Sequence, residues 1–546
     1  MSIPTRHHGT PTPISYYLLL CLFLAWTAIG VFPLYCSFEG DALRIIASSS
    51  VMYNQGWNVP PLVSYQYGMQ PLIIYMIVAV KHLLPFLSCN AIYSMLSAAA
   101  ALAAIPLAVS LVHHLTGLGK TLVLCAFILL PETYAIATFP NSSVFSYLLT
   151  LWALLLLVKE ARLWKPLTLM CIAPLFRIDI VIVYPVIFFI FLYQGKSFKQ
   201  SLAYSIVAAI AVVAVAVAVY VPLKANPFET LDAADKMNQS KSLLTKVFIA
   251  IYSYYTIVNL VLLPIGIICL CKGGKWRLLA VALLPIVLIH YFYRYNGGAC
   301  KHYLYLLPFV AILTSQALHW LTDFCRKHKA VGYALCTALV LFYIVSLRFD
   351  IPDKPWRNGE DSVSKKGPNL TLFEASNNPY HWQIGLGTSL GYYTEDELMV
   401  FSGHLFYPLY IYKVKSEQQQ HINQVKDYLD KHAQKGYTVM ALTWDDLSLY
   451  PSLLLEEGYE YKPLTKRSFA MNNDNHEVKL MIHEMGNDTE EIIRVSDYLK
   501  QMPLVKGTPI YFITQYESFH HPFNKMCDMG KCKKLMKGLY LLSPDS

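Results

Sequence analysis

The sequence predicts an α-helical polytopic membrane protein with a C-terminal soluble α/β domain on its outer face. Of its 546 residues, 55% are hydrophobic and only 14% are charged, with a mean hydropathy of +0.39. A soluble protein carries about 25% charged residues. The long apolar runs fall within 14–347, whereas 348–546 resembles ordinary soluble sequence. We therefore expect a membrane domain over 1–347 and a water-facing domain over 348–546.

Eleven apolar runs are candidates to cross the membrane, because a spanning helix needs roughly 20 mostly apolar residues. An odd count with the N-terminus inside places the C-terminal domain outside. The predicted spans are 16–36, 71–87, 91–113, 121–139, 142–158, 167–193, 201–223, 247–270, 278–292, 303–319 and 329–347.

Basic loops support this orientation. "QGKSFKQ" (194–200), "CKGGKWR" (271–277) and "CRKHK" (325–329) cluster Lys and Arg, which is typical of cytoplasmic loops. The net charge of +9 therefore indicates membrane topology and no nucleic-acid partner. However, "KEARLWK" (159–165) would lie outside. Splitting 167–193 at "FRID" would reverse the side of everything after it, and we keep the run as one span.

The loop 37–70 that follows the first span is long, polar and aromatic. It opens with Glu39, Asp41 and Arg44, and apolar residues at helical spacing over 41–53 predict an interfacial helix with serines opposite. A partly desolvated carboxylate there would suit a general base that activates a hydroxyl. The simpler reading is a helix cap, which the spacing alone favours.

A second outer segment, 291–309, combines cations with tyrosines. Arg294, Lys301 and His302 precede Tyr303. Arg and Lys beside a bilayer can hold a phosphate through charge-assisted hydrogen bonds. They can equally contact lipid headgroups, with the tyrosines forming an interfacial belt.

Arg177 and Asp179 lie inside the apolar run "PLFRIDIVIVYP" (174–185). Intramembrane charges are costly and usually face the bundle interior or a cavity. Residues two apart do not face each other on one helix. Each charge therefore needs a separate partner, or the helix breaks there.

The C-terminal part has mixed α/β character. A helix is expected over 422–436 and strands over 437–444 and 508–517. Cys527 and Cys532 could bridge in an oxidising compartment, although their spacing does not establish it. The histidine pairs lack the spacing of a helical metal site, so we predict no protein-bound metal and no cofactor.

The layout resembles the GT-C superfamily of integral-membrane glycosyltransferases. The quoted elements are "FEGDALR", "YNQGWNVPP" and "YGMQPL" in the outer loop, then "FPNSS" (139–143), "FRIDIVIVYP" and "CKHYLYLLPF" (300–309). The finer resemblance is to the lipid-linked mannosyltransferases of GPI-anchor and N-glycan assembly and their bacterial relatives. Gly40 separates the two acids, Gln70 stands where a basic residue is expected, and the later loop lacks its acidic pair.

The resemblance implies transfer of a sugar from a polyprenyl-phosphate carrier to a glycan or glycolipid hydroxyl, with inversion. Asp41 would be the catalytic base and Glu39 the second acid. The leaving phosphate would be stabilised by Arg294, Lys301 and His302. Substrate contacts would further involve Arg44, Gln70, Arg177, Asp179 and Tyr303.

Two other functions stay open from the sequence. A secondary transporter would show internal repeats and matched broken spans, which are not visible in the sequence. An assembly factor could use the same loops to bind lipid-linked glycans without chemistry. We expect the bacterial plasma membrane, with the endoplasmic reticulum as the alternative.

Overall fold

The computed structural model describes most of the membrane domain and the strands that follow it. The described residues are 13–34, 40–57, 70–130, 133, 136–138, 140–223, 257–292, 303–332, 334, 337, 407–432 and seven short strands within 438–542. The chain divides into two compact units. The helical unit comprises 1–32, 96–353 and 361–411, and the sheet unit comprises 33–95, 354–360 and 412–546. The division predicted at residue 347 stays a prediction.

Thirteen helices and two 3-10 turns make up the helical part of the described residues. The helices are α1 Ile14–Ile29, α2 Gly40–Gln55, α3 Pro71–Leu83, α4 Cys89–Thr116, α5 Lys120–Ile128, α6 Ser143–Val158, α7 Trp164–Phe176, α8 Val186–Tyr193, α9 Phe198–Tyr220, α10 Ile257–Lys272, α11 Trp276–Phe292, α12 Leu307–Lys327 and α13 Tyr407–His432. The 3-10 turns are Ile178–Val183 and Leu304–Leu306.

Three of these segments, Cys89–Thr116, Phe198–Tyr220 and Leu304–Lys327, are long and apolar enough to cross a bilayer unaided. Seven further apolar helices are shorter. The helical unit is therefore a bundle in which long helices are combined with short ones, as expected for a polytopic membrane protein.

One end of the helical unit gathers the termini of several helices. The Tyr193 hydroxyl donates to the Leu115 carbonyl over 2.7 Å. Gln194 Nε2 donates to the Leu157 carbonyl over 2.6 Å. Lys120 Nζ lies 5.7 Å from the centre of the Tyr16 ring. These contacts bring together the ends of α4, α6 and α8 and the starts of α1 and α5.

The loops at this end are rich in exposed cations. The exposed Lys and Arg are Lys159, Arg162, Lys165, Lys196 and Lys199. We call it the basic end, and the distribution of Lys and Arg favours a cytoplasmic location for it. "KEARLWK" (159–165) lies at the same end as 194–200, because Gln194 bonds to the Leu157 carbonyl. The predicted placement of these two loops on opposite sides of the membrane is therefore wrong.

The opposite end is held by polar and close backbone contacts. Ser97 Oγ accepts from the Asn141 amide over 2.9 Å, just before α6 begins. A Cβ on Gly30, which follows α1, would lie 2.7 Å from Thr138 Cγ2. The Tyr220 hydroxyl, at the end of α9, donates to the Pro174 carbonyl over 3.2 Å. If the basic end is cytoplasmic, this opposite end is extracytoplasmic.

The apolar run 167–193 is a hairpin and not one span. α7 starts at the basic end, directly after α6, and α8 returns to that end. Between them Arg177 is extended, with φ −161° and ψ 119°, and the 3-10 turn Ile178–Val183 follows. Pro174 within α7 and Pro185 before α8 weaken a continuous helix here. Of the two outcomes foreseen for the charges, the helix break is the one observed.

The predicted span 71–87 is corrected as well. α1 ends at the opposite end, and α4 approaches Asn141 at that same end through Ser97. The chain between them therefore crosses the membrane an even number of times. α3, with 13 residues and a length of about 20 Å, is not a lone crossing.

The two corrections cancel in the overall count. Within the described residues ten helices run between the two ends, namely α1 and α4 to α12. The predicted span 329–347 lies largely outside the described residues, and with it the count returns to eleven. The inside N-terminus and the outside C-terminal region stay predictions.

The core of the bundle forms around α12. Residues 307–317 are all buried. A Cβ on Gly266 of α10 would collide with the Leu313 carbonyl, so the two backbones touch. Thr314 Oγ1 donates to Asn259 Oδ1 over 3.2 Å, and Asn259 Nδ2 donates to the Leu129 carbonyl. Small residues and buried polar links of this kind hold helices together in lipid.

The sheet unit contains a seven-stranded mixed sheet. Its strands are β1 Thr438–Leu442, β2 Glu460–Pro463, β3 Phe469–Asn473, β4 Val478–His483, β5 Ile510–Ile513, β6 Cys532–Met536 and β7 Leu539–Leu542, in the order 2-3-4-1-5-7-6. β1 and β5, the two predicted strands, pair in parallel with Val439 opposite Tyr511. α13 covers the first part of the helix predicted over 422–436. Cys527 lies outside the described residues.

α2 confirms the predicted helix over 41–53 but differs in its surroundings. Ile45 and Ile46 are buried, and so are Ser48, Ser49 and Ser50. Ser49 Oγ and Ser50 Oγ donate to carbonyls one turn earlier. The serines therefore do not form a water-facing side of α2.

Candidate functional site

The predicted site residues divide into those the structure describes and those outside it. Glu39, Arg294, Lys301 and His302 lie outside the described residues. Asp41 and Arg44 lie in the first two turns of α2, where the backbone is described. An acid in the first turn of a helix is electrostatically favoured, and this position agrees with the capping interpretation as well as with the catalytic one.

Gln70 begins α3 as its N-cap residue. It is 3% exposed, and its Oε1 has no hydrogen-bond partner among the described residues. A buried amide oxygen without a partner is costly, so such positions usually face a bound group or water. Gln70 is thus placed as a neutral polar group where the resemblance expects a cation.

Arg177 and Asp179 pair with each other. Arg177 Nε donates to Asp179 Oδ2 over 2.7 Å, and each residue is 5% exposed. The expectation that each would need a separate partner assumed a continuous helix. Because the backbone becomes extended at Arg177, the two side chains can meet across a two-residue separation. The paired charges offset the cost of placing either one inside the bundle.

Tyr305 joins this pair to a third segment. Its hydroxyl donates to Asp179 Oδ1 over 2.9 Å and lies 3.1 Å from Ser146 Oγ. Ser146 also donates to the Ser143 carbonyl within α6. We call Ser146, Arg177, Asp179 and Tyr305 the buried network. Sequence reasoning missed Tyr305 and Ser146, because a tyrosine near a membrane edge is more often a belt residue.

The buried network unites three of the elements quoted for the family resemblance. "FPNSS" leads into α6, where the Ser143 amide donates to Asn141 Oδ1 over 2.7 Å. "FRIDIVIVYP" supplies Arg177 and Asp179, and "CKHYLYLLPF" supplies Tyr305. Ser146 and Tyr305 are 159 positions apart in the chain. The three elements thus meet at one place, at the opposite end of the bundle.

Tyr303 lies two residues before Tyr305 and is also buried, with 1% exposure. Its ring centre is 5.2 Å from that of His290 in α11. Its carbonyl accepts from the Leu306 amide over 2.9 Å, which closes the turn Leu304–Leu306. The chain that enters α12 is therefore fixed by two tyrosines on one short turn.

The arrangement limits the chemistry that the buried network itself can perform. Asp179 offsets the charge of Arg177 and accepts from Tyr305, so the network is electrically balanced. It is suited to holding segments in place more than to accepting a proton from a substrate. Among the described residues no group of three or more His, Cys, Asp or Glu side chains could hold a metal ion.

Comparisons with known proteins show the fold. No family model matches the sequence, and no curated protein matches it. The solved structures that match include two of ArnT from Cupriavidus metallidurans, each over almost the whole chain. ArnT bound to undecaprenyl phosphate has 12% sequence identity, a TM-score of 0.58, and coverage of 97% of this chain and 98% of ArnT. The apo state of ArnT has 12% identity, a TM-score of 0.55 and the same coverage.

ArnT is a GT-C glycosyltransferase, and the chain has the GT-C fold. The expected fold class is confirmed as a mostly helical, polytopic membrane fold. At 12% identity the likeness establishes architecture, not substrates.

Proposed function

We propose that the protein is a GT-C glycosyltransferase that moves a sugar from a polyprenyl-phosphate carrier to an acceptor hydroxyl. The observation that carries this proposal is the likeness to ArnT, a protein solved with undecaprenyl phosphate, over 97% of the chain. A likeness spanning both the helices and the C-terminal part favours an enzyme of this architecture over a transporter or a non-catalytic assembly factor.

The topology supports a site on the extracytoplasmic face. Within the helical unit, α1 ends at the opposite end, and Ser97 of α4 meets Asn141 there. The connection 293–302 also leaves α11 and enters the turn before α12 at that end. The acids of the first loop and the cations of the second therefore belong to the same side of the membrane. A base and a leaving-group phosphate site need this relation if they act on one sugar.

In this proposal Asp41 is the general base. It takes the proton from the acceptor hydroxyl, whose oxygen attacks the anomeric carbon as the bond to the carrier phosphate breaks. Direct attack inverts the configuration, and the oxocarbenium-like transition state separates base and phosphate on opposite faces of the sugar. Glu39 is the second acid of the loop.

Cations and hydroxyl groups stabilise the departing phosphate. Arg294, Lys301 and His302 supply positive charge, and Tyr303 adds a phenol at the end of the same loop. Arg44 and Gln70 lie in the outer-loop segment and complete the proposed substrate contacts. Arg177 and Asp179 support the proposed site from within the bundle, where each offsets the charge of the other.

The proposed partners follow from this chemistry. They are a polyprenyl-phosphate-linked sugar donor, a glycan or glycolipid acceptor, and membrane lipid. The bacterial plasma membrane is the preferred location, with the endoplasmic reticulum as the alternative. The proposed transfer steps use only side chains of the protein.

The proposal is tested with purified protein and synthetic undecaprenyl-phosphate sugars, presented with a total membrane lipid extract as acceptor. We expect transfer of label to lipid by the wild-type protein. Asp41→Asn should reduce the rate by about 100-fold or more, in the range of lost general-base catalysis. Native mass spectrometry should still detect undecaprenyl phosphate on the variant.

Asp323→Asn is the matched control, because Asp323 is a half-exposed acid near the basic end and should leave transfer unchanged. Full transfer by Asp41→Asn and by Glu39→Gln would refute the base assignment. Solute uptake into liposomes that contain only the wild-type protein, without any sugar transfer, would establish a transporter instead.

A further inference from the structure

We propose that the Tyr305 hydroxyl is a positioning group for the carrier-phosphate site, acting through the turn that carries Tyr303. This inference rests on the proposed function and extends it to residues outside the predicted site. Tyr305 does not contact the substrate in this proposal. It fixes the place of a residue that does.

The first argument is the number of segments that meet at one hydroxyl. Tyr305 Oη donates to Asp179 over 2.9 Å and contacts Ser146 Oγ at 3.1 Å. Asp179 belongs to the hairpin between α7 and α8, and Ser146 belongs to α6. A single phenol therefore fixes the entrance of α12 against two other elements. Buried networks with satisfied partners hold one arrangement with high specificity.

The second argument is the rigidity of the link from Tyr305 to Tyr303. Tyr303 caps the start of one turn of 3-10 helix and Tyr305 is its middle residue, and the turn is closed by the bond from the Leu306 amide to the Tyr303 carbonyl. Both rings are buried, with 1% exposure each. A shift of Tyr305 is therefore transmitted to Tyr303 and cannot be absorbed by a loose connection.

The third argument is the charge balance at Asp179. A carboxylate with Arg177 on one oxygen and Tyr305 on the other has a fixed orientation. Charge-assisted hydrogen bonds of this kind are shorter and stronger than neutral ones. The apex of the hairpin thus provides a fixed hydrogen-bond acceptor for Tyr305. In this proposal the ion pair orients that acceptor as well as neutralising the two charges.

The test compares two Tyr→Phe variants of the full-length protein. Tyr305→Phe removes the hydroxyl from the buried network. Tyr184→Phe is the control, since the Tyr184 hydroxyl donates to the Met170 carbonyl within the same hairpin and, among the described residues, forms no hydrogen bond to α12. Each variant loses a phenol hydroxyl and keeps the ring, and the unfolding temperature should fall further for Tyr305→Phe, which loses a bond to a carboxylate. Kinetics are therefore measured at a temperature at which both variants are folded.

Transfer kinetics separate the two variants. For Tyr305→Phe we expect the KM for the undecaprenyl-phosphate sugar to rise about fivefold to tenfold, with a smaller change in kcat. Ser146→Ala should raise the same KM by a smaller factor, because it removes the weaker partner. Tyr184→Phe should keep the wild-type KM.

Equal KM values for the Tyr305 and Tyr184 variants, in an active protein, would overturn the inference and leave the proposed function intact. A wild-type protein that transfers no sugar would instead overturn the proposed function. A fall in kcat alone, with KM unchanged, would also contradict a role in placing the phosphate site.

Discussion

The two ends of the helical unit differ in how they accommodate charged side chains. At the basic end, lysines and arginines are exposed, and helix termini are joined by neutral side chains that donate to backbone carbonyls, as Tyr193 and Gln194 do. At the opposite end, Arg177 and Asp179 are buried and bonded to each other. Charge is solvated at one end and paired at the other.

This difference indicates how well each end tolerates substitutions. An exposed cation costs little and contributes little, because water and salt screen it. A buried pair tolerates the loss of neither partner, since the remaining charge would be left in a poorly polar interior. We therefore expect substitutions at the opposite end to have large effects and those at the basic end to have small ones.

The largest expected effect concerns the side of the membrane on which 159–165 lies. Alkaline phosphatase fused after Ala161 should be inactive in a bacterial host, because the enzyme needs disulfides that form only outside the cytoplasm. The same reporter fused after Phe32, beyond the end of α1, should be active. Activity after Ala161 would place 159–165 outside and restore 71–87 as a single crossing.

The next effect tests the buried pair itself. Asp179→Ala should destabilise the protein by about 3–5 kcal/mol, because the buried Arg177 loses the carboxylate to which its Nε donates. The measurement is the midpoint of denaturant unfolding in detergent. Asp323→Ala, which breaks contacts of 3.7 Å and 3.8 Å to His319 and Arg326 at exposed positions, should cost under about 1 kcal/mol.

A double variant separates charge from shape at that pair. Arg177→Met with Asp179→Leu should recover a large part of the loss, since a buried ion pair can be replaced by apolar groups of similar volume. Stability as low as that of Asp179→Ala alone would show that shape or hydrogen bonding, and not charge, determines the effect.

The smallest effect compares a glycine at each end. Gly30→Ala should cost about 1–3 kcal/mol, because its Cβ would lie 2.9 Å from Pro408 Cα and 2.7 Å from Thr138 Cγ2. Gly119→Ala, with no atom within 4 Å of its Cβ, should change stability by less than about 0.5 kcal/mol. Equal costs would mean that the opposite end can relax around an added methyl group.

The sequence was sufficient for the fold class because hydropathy reports directly on burial in lipid. It also identified Arg177 and Asp179, because charges inside an apolar run are rare and costly. The sequence did not predict that the two side chains pair with each other. The rule that residues two apart do not face each other applies only to an unbroken helix. Pro174 and Pro185, which bracket the break, were the available signal.

Two other differences between the sequence-based prediction and the structure have different causes. α3 is as apolar as a true span, and only the conflict over "KEARLWK" indicated that the assignment of sides was at fault. Tyr305 and Ser146 had no signal in the sequence, because their meeting depends on how segments 159 positions apart pack. The roles of Asp41, Glu39, Arg294, Lys301 and His302 stay predictions that the proposed experiments test.

The hairpin of α7 and α8 bears on how the chain is inserted during synthesis. The returning arm of the hairpin, Ile178–Tyr193, is one of the shorter apolar segments, and α8 supplies only 8 residues of it, about 12 Å of helix. Because a lone span needs roughly 20 apolar residues, we expect this arm to enter lipid together with α7 and not by itself. Pairing of Arg177 with Asp179 would lower the cost of that step, since two paired charges are less costly in lipid than two separate ones.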